Sequence, residues 1–273
     1  MKHLLLTGSG GFIGSHLKHH LREYQLFTPR SFQLNLLDKT ETSHYLQKNH
    51  IDFIIHSASC GVRIRPDATL EEVATPNIEM FHNLADSQIP MITIGSGAEY
   101  DKSRPLVRIK EEDFGKSIPQ DPYGYSKYLI SKEIEKREHI LNLRLFGIYG
   151  FGEDPSRVTS CIIQAKIKQR SVVLNQNVRF HFIWIDDFCK IVKHFVQQST
   201  REKFINVAPT QSIEIVELAK IAGVETIVKN PGLNKEYTAD NSKLLAELQG
   251  FNFTSYQEGL DKFYRQQIKA SSQ

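Results

Sequence analysis

Apolar and polar positions alternate along the first half of the chain in two distinct rhythms. Short apolar runs of strand length fall at 4–6, 25–28, 53–56, 90–94 and 141–146. Between them, 15–22, 39–48, 77–86 and 123–139 carry the spacing of amphipathic helices. Strands alternating with helices predict parallel βαβ units, hence an α/β protein with a Rossmann-type doubly wound parallel sheet. In such a sheet the ligand sits beyond the carboxyl ends of the strands. After residue 150 the rhythm changes. Gly150-Phe151-Gly152-Glu153-Asp154-Pro155 is a loop, 158–169 reads as a helix, and 172–174 and 182–185 read as short strands. A helix is predicted over 187–198, a strand returning to the sheet over 204–207, and helices over 218–222 and 242–248. The pattern predicts a first domain over 1–150 and a smaller C-terminal domain over 151–273, with segments around 182–208 returning to the first.

Composition narrows the class. Hydrophobic residues make up 40% and charged residues 24% of 273, which is globular rather than disordered. A net charge of +3 lacks the dense basic stripe of a nucleic-acid binder. Cys60, Cys161 and Cys189 form neither a disulfide framework nor a zinc pattern, which points to a reducing compartment. The eleven histidines show no metal-ligand spacing, so no metal is expected. Leu4-Leu5-Leu6 is too short for a signal segment and runs into glycines. No stretch approaches the ~20 apolar residues of a membrane span, and a cytoplasmic location is expected.

The first strand is followed by Thr7-Gly8-Ser9-Gly10-Gly11-Phe12-Ile13-Gly14 and then a helix. Gly8, Gly11 and Gly14 suit a tight turn, close approach of backbone to a diphosphate, and close helix–strand packing. The helix start then offers free N–H groups to phosphate. A second feature opens the helix after Asp121-Pro122. Tyr123 and Lys127 lie four apart and share one helical face. A phenol at its ordinary pKa of about 10 is a poor acid or base at neutral pH, and an adjacent ammonium favours its phenolate. The pair suits general acid–base work on a carbonyl or carbinol. A third feature is Gly95-Ser96-Gly97-Ala98, directly after a strand, where a hydroxyl among small neighbours can meet a substrate oxygen.

Together these motifs resemble the extended short-chain dehydrogenase/reductases of the NAD(P)-dependent nucleotide-sugar epimerase/dehydratase family. The matching residues are the glycine turn, Asp38, His56-Ser57-Ala58-Ser59, Asn77, Ser96, Tyr123 with Lys127, Leu143-Arg144-Leu145-Phe146-Gly147-Ile148-Tyr149-Gly150, Ile185-Asp186-Asp187 and Asp240-Asn241-Ser242-Lys243. The resemblance implies a catalytic set of Ser96, Tyr123 and Lys127. It implies cofactor contacts from Gly8, Gly11, Phe12, Ile13, Gly14, Asp38, Ser57, Ala58, Ser59, Tyr123 and Lys127. Asp38 also suits an N-cap for the helix at Lys39. Where NAD enzymes carry an acid after the second strand, this chain reads Phe27-Thr28-Pro29-Arg30-Ser31. Arg30 suits a 2′-phosphate, so NADP(H) is favoured, with NAD(H) possible.

The family's dehydratases carry an Asp-Glu pair where this chain has Gly97 and Ala98, and fucose-synthase-type enzymes use a cysteine at the place of Ala98. The resemblance therefore implies chemistry that needs only the Ser-Tyr-Lys set. The reading is a reductase of a nucleotide-linked 4-keto-6-deoxy sugar. The alternative is an NAD-dependent nucleotide-sugar 4-epimerase, and a more remote one is a non-catalytic NADP-binding regulator. At 273 residues the chain is nearer the family's reductases than its epimerases. Gly97, Ala98 and Arg179 are substrate-side candidates, and a homodimer is implied. His56 reads as structural or near the cofactor, Cys60 as a small packed thiol, and Arg63 and Arg65 as solvated. Arg179 and His181 precede Asp186-Asp187, and Arg179 lies one residue from the family's usual arginine place.

Overall fold

The computed structural model describes residues 1–60 and 69–271; Arg63 and Arg65 lie outside the described residues. The chain divides into two compact units. The first comprises Met1–Ser103, Lys110–Leu145 and Cys189–Asn206. Its sheet has six strands: β1 (His3–Thr7), β2 (Gln25–Phe27), β3 (Phe53–His56), β4 (Met91–Ser96), β5 (Ile140–Leu145) and β6 (Phe204–Val207). Their spatial order is β2-β1-β3-β4-β5-β6, and β1 through β5 pair in parallel. Every residue of β3, β4 and β5 is buried, which is why these strands read as runs rather than alternations. Leu5, Ile54, Phe81, Leu84, Met91, Ile130, Ile134 and Ile140 share one core cluster.

The helices begin where local chemistry lets them. Helix α1 (Phe12–His20) starts directly from Gly11, earlier than the predicted 15. Helix α2 (Lys39–Lys48) is capped by Asp38, whose Oδ1 accepts from the Glu41 N–H at 2.9 Å. Helix α3 (Leu70–Ala85) begins seven residues before the predicted 77. Thr69 and Glu72 form a capping box there, and Pro76 is carried inside the helix. Helix α4 (Pro122–Ile134) has Asp121 as N-cap and stops short of 139, so that His139 leads into β5.

The second unit comprises Arg104–Ile109, Phe146–Phe188 and Val207–Gln273. One sheet in it runs Ile213–Glu214, Arg179–Phe180, Tyr237–Ala239 and Leu106–Ile109. Two further pairs join Gly147–Tyr149 to Phe182–Trp184 and Val172–Asn177 to Thr226–Leu233. The Phe180 ring stacks on Phe182 and Tyr237 at 4.8 and 4.6 Å. Helix Ile185–Gln197 begins where the sequence predicted the end of a strand. Among the described residues, no helix is long and apolar enough to cross a membrane.

Candidate active site

The turn after β1 is built on missing side chains. Gly8 takes a φ of +69°, and its carbonyl accepts from the Gly11 N–H at 3.0 Å. A Cβ on Gly8 would lie 2.6 Å from the Ala58 nitrogen, and one on Gly14 would lie 2.1 Å from the Gly8 carbonyl oxygen. The turn is therefore flush against the Ser57–Ala58 backbone on one side and α1 on the other. Thr7 locks this junction. Its Oγ1 accepts from the Ser57 and Ala58 N–H groups, both at 3.2 Å, and its own proton goes to His56 Nδ1 at 2.9 Å. Burial, with the Lys127 ammonium adding, pushes the His56 pKa down to about 3, so the ring is neutral.

Gly11 caps α1 without a side-chain hydrogen bond, leaving the first N–H groups of the helix for an incoming anion. The turn has the close-packed, side-chain-free form that a dinucleotide diphosphate needs, so the residues present fit that group. Arg30 follows β2 and is exposed. Its Nη1 lies 2.0 Å from where a Gly10 Cβ would stand, so the guanidinium rests on the rim of the turn. The 58–60 loop is held from α3: Asn77 accepts from the Cys60 N–H at 2.7 Å and donates to the Cys60 carbonyl at 2.8 Å. The Cys60 side chain is exposed, not packed as the sequence suggested; its backbone N–H and carbonyl are the groups held by buried Asn77.

The second half of the site follows β4. Ser96 ends the strand and its Oγ accepts from the Ala98 N–H at 3.1 Å, capping the short helical turn Gly97–Tyr100. Helix α4 docks on this turn. A Cβ on Gly124 would lie 2.9 Å from the Ala98 carbonyl oxygen, so the turn of α4 that bears Tyr123 sits directly against Ser96's loop. Lys127 is buried and donates from Nζ to the Ile94 carbonyl at 2.9 Å, two residues before Ser96. Its Nζ stands 5.9 Å from the Tyr123 ring centre. Burial pushes the Lys127 pKa down to about 8, while the Glu99 carboxylate pulls it up. The ammonium form therefore prevails at neutral pH.

These two halves lie at strand ends of one sheet, and comparison with known proteins identifies what kind of chain carries them. The model of the NAD dependent epimerase/dehydratase family matches residues 4–208. The chain belongs to this family. The resemblance read from its motifs and the α/β fold both stand. Similar to it is GDP-L-colitose synthase of Yersinia pseudotuberculosis, 23% identical over 88% of this chain and 85% of that protein. A GDP-L-fucose synthetase of Naegleria fowleri bound to NADP shares the fold, with a TM-score of 0.83, 14% identity and coverage of 99% and 94% of the two chains. So does a UDP-glucuronic acid 4-epimerase of Bacillus cereus in complex with NAD, with a TM-score of 0.76, 22% identity and 96% coverage of each chain.

Within this family member, the other residues singled out by sequence take distinct places. Arg179 is in the second unit, on an inner strand whose neighbour carries Glu214, and donates to its Oε1 at 2.5 Å. His181 is buried, and its Nδ1 accepts from the Ala239 N–H at 3.1 Å. Burial and the charge of Arg108 push its pKa down to about 4. Asp186 accepts from the Trp184 indole at 3.1 Å and Asp187 from the Thr254 N–H at 2.6 Å, so that pair braces the second unit. Among the described residues no group of three or more His, Cys, Asp or Glu could hold a metal ion.

Sequence reasoning missed the pairing of Glu99 with Arg144. Both are fully buried, and Arg144 Nε donates to Glu99 Oε2 at 2.8 Å. A signal was present: Arg144 lies inside Leu141-Asn142-Leu143-Arg144-Leu145, a strand apolar enough to be central. A charge placed there requires a buried counter-charge.

Proposed function

We propose that the protein is an NAD(P)H-dependent reductase of a nucleotide-linked 4-keto-6-deoxy sugar. The observation that carries this reading is the docking of α4 on the Ser96 turn, which puts a buried Lys127 ammonium beside Tyr123 at one strand end. Gly8, Gly11, Phe12, Ile13 and Gly14 would hold the cofactor diphosphate. Ser57, Ala58 and Ser59 would line its middle and Asp38 would reach its adenine. Arg30 on the rim at Gly10 supports NADP(H) over NAD(H), as a partner for a 2′-phosphate.

When bound, the reduced nicotinamide supplies the hydride for the carbonyl carbon. Tyr123 gives its proton to the carbonyl oxygen, which completes the alcohol, and is re-protonated from solvent. Lys127 holds the charge that stabilises the resulting phenolate, and it would also bind the nicotinamide ribose. Ser96 Oγ already accepts from the Ala98 N–H, so its own proton is available to orient the substrate oxygen. Gly97 and Ala98 carry no acid, base or thiol, which supports a reaction confined to this set. Arg179 is proposed on the nucleotide side of the substrate, and a second copy of the chain as its partner in a homodimer.

The test incubates the purified protein with NADPH, and separately NADH, against a panel of nucleotide-linked 4-keto-6-deoxy sugars. Absorbance of the reduced nicotinamide is followed. Stoichiometric loss with one sugar is the expected result. Product from ordinary UDP-hexoses without cofactor consumption would replace the reading with a 4-epimerase. Tenfold tighter binding of NADH than NADPH would overturn the cofactor preference.

A further inference from the structure

We propose that Glu99 is a positioning residue: held by Arg144, its carboxylate ties the strand end that carries Ser96 to the helix face that carries Tyr123 and Lys127. The inference rests on the reading of Ser96, Tyr123 and Lys127 as the reacting set. Tyr123, Lys127 and Ser131 recur every four residues along α4 and share one face. Ser131 Oγ donates to Glu99 Oε2, while Glu99 Oε1 accepts from the Ser96 N–H at 2.9 Å. One carboxylate therefore grips both elements whose relative placement the reaction depends on.

The grip is itself rigid. Arg144 donates from Nε to Glu99 and from Nη1 to the Tyr100 hydroxyl at 2.9 Å. Its guanidinium lies 4.2 Å from the Phe204 ring centre and 4.4 Å from that of Phe114. Asn142 donates to Ser131 at 2.8 Å and to Glu99 Oε1 at 3.3 Å. Gly95 lets the strand run flush on this cluster, since a Cβ there would lie 2.6 Å from Glu99 Oε1 and 2.1 Å from Asn142 Oδ1.

The carboxylate also acts through charge. The groups set about the Lys127 ammonium are Glu99 on the turn after β4, His56 on β3 and Tyr123 on α4. Arg144 on β5 and the Tyr100 hydroxyl stand behind Glu99. His56 is neutral, and Glu99 favours the ammonium against the burial that opposes it. A neutral brace would hold the helix equally well and would do nothing for Lys127.

The experiment uses the full chain and titrates NADPH by its fluorescence across pH, with NADH in a parallel series. Steady-state turnover of the reducible sugar is measured alongside. Wild type loses affinity as pH rises through about 8, where Lys127 gives up its proton. Glu99→Gln moves that inflection to lower pH by roughly one unit. Ser131→Ala keeps every charge, leaves the inflection in place, and lowers kcat roughly tenfold with KM within about twofold. It decides the matter alone if Glu99→Gln does not fold. An unmoved inflection in a folded Glu99→Gln, or wild-type kcat in Ser131→Ala, overturns the proposal. A wild type with no inflection, or full turnover in Tyr123→Phe, overturns the underlying reading instead.

Discussion

Two turns at the carboxyl ends of one sheet are made by opposite means. After β1 the chain removes side chains, and backbone lies on backbone: Gly8 against Ala58, Gly14 against Gly8. After β4 the chain buries a full ion pair, Glu99 with Arg144, and hangs the Ser96 turn on it. The first turn is suited to receive a charged group from outside, because it brings N–H groups and no anion of its own. The second carries its own charge, and is suited to fix the direction of a hydroxyl and an ammonium. The first depends on a few adjacent residues. The second depends on two residues 45 apart in sequence.

The sharpest way to break this comparison is to remove one partner of the pair. Arg144→Met leaves the Glu99 carboxylate buried without its counter-charge and should cost about 3–5 kcal/mol in urea unfolding. The double change Glu99→Leu with Arg144→Met should recover most of it. A single variant as stable as wild type would show that the turn does not depend on the pair.

A second buried carboxylate, Glu153 in the second unit, sharpens the point because burial outweighs the nearby charge of Arg157. Its Oε1 accepts from Thr159. Burial pushes its pKa up to about 7 from the ordinary 4.5, against the pull of Thr159 and Ser160. The folded chain therefore holds the proton more tightly than the unfolded one. The stability tied to that proton is full below pH 4.5 and is lost as pH rises through about 7. The loss should be about 3 kcal/mol, and Glu153→Gln should flatten it in unfolding curves taken across that window. An unchanged pH slope in the variant would contradict this.

The smallest of these effects is on the glycine turn. Gly14→Ala forces a methyl into the Gly8 carbonyl, and cofactor affinity should fall roughly a hundredfold, about 2.7 kcal/mol. Fluorescence titration of the reduced nicotinamide reads it directly, and wild-type affinity would show that the close approach is not needed.

What was legible in the sequence follows the same divide. Gly8, Gly11 and Gly14, the Asp38 cap and the pairing of Tyr123 with Lys127 are local patterns, and the structure realises each as a local feature. The start of α3 was obscured because Pro76 reads as a helix boundary, whereas the capping box at Thr69 carries the helix through it. The end of α4 was overrun because its charged face continues past Ile134 into the turn before β5. Glu99 stayed hidden because its partners, Arg144, Ser131 and Asn142, are brought to it only by the folding of β5 and α4. The second unit was the least legible, since its strands are short and pair with distant segments: Leu106–Ile109 meets Tyr237–Ala239.

The most direct measurement is made on Tyr123→Phe, with cofactor binding and sugar reduction recorded on the same preparation. The account predicts cofactor affinity within about twofold of wild type and turnover lower by roughly 10²–10⁴. Turnover that survives the loss of this hydroxyl would contradict the assignment of Tyr123 as the proton donor, and with it the reading of the site.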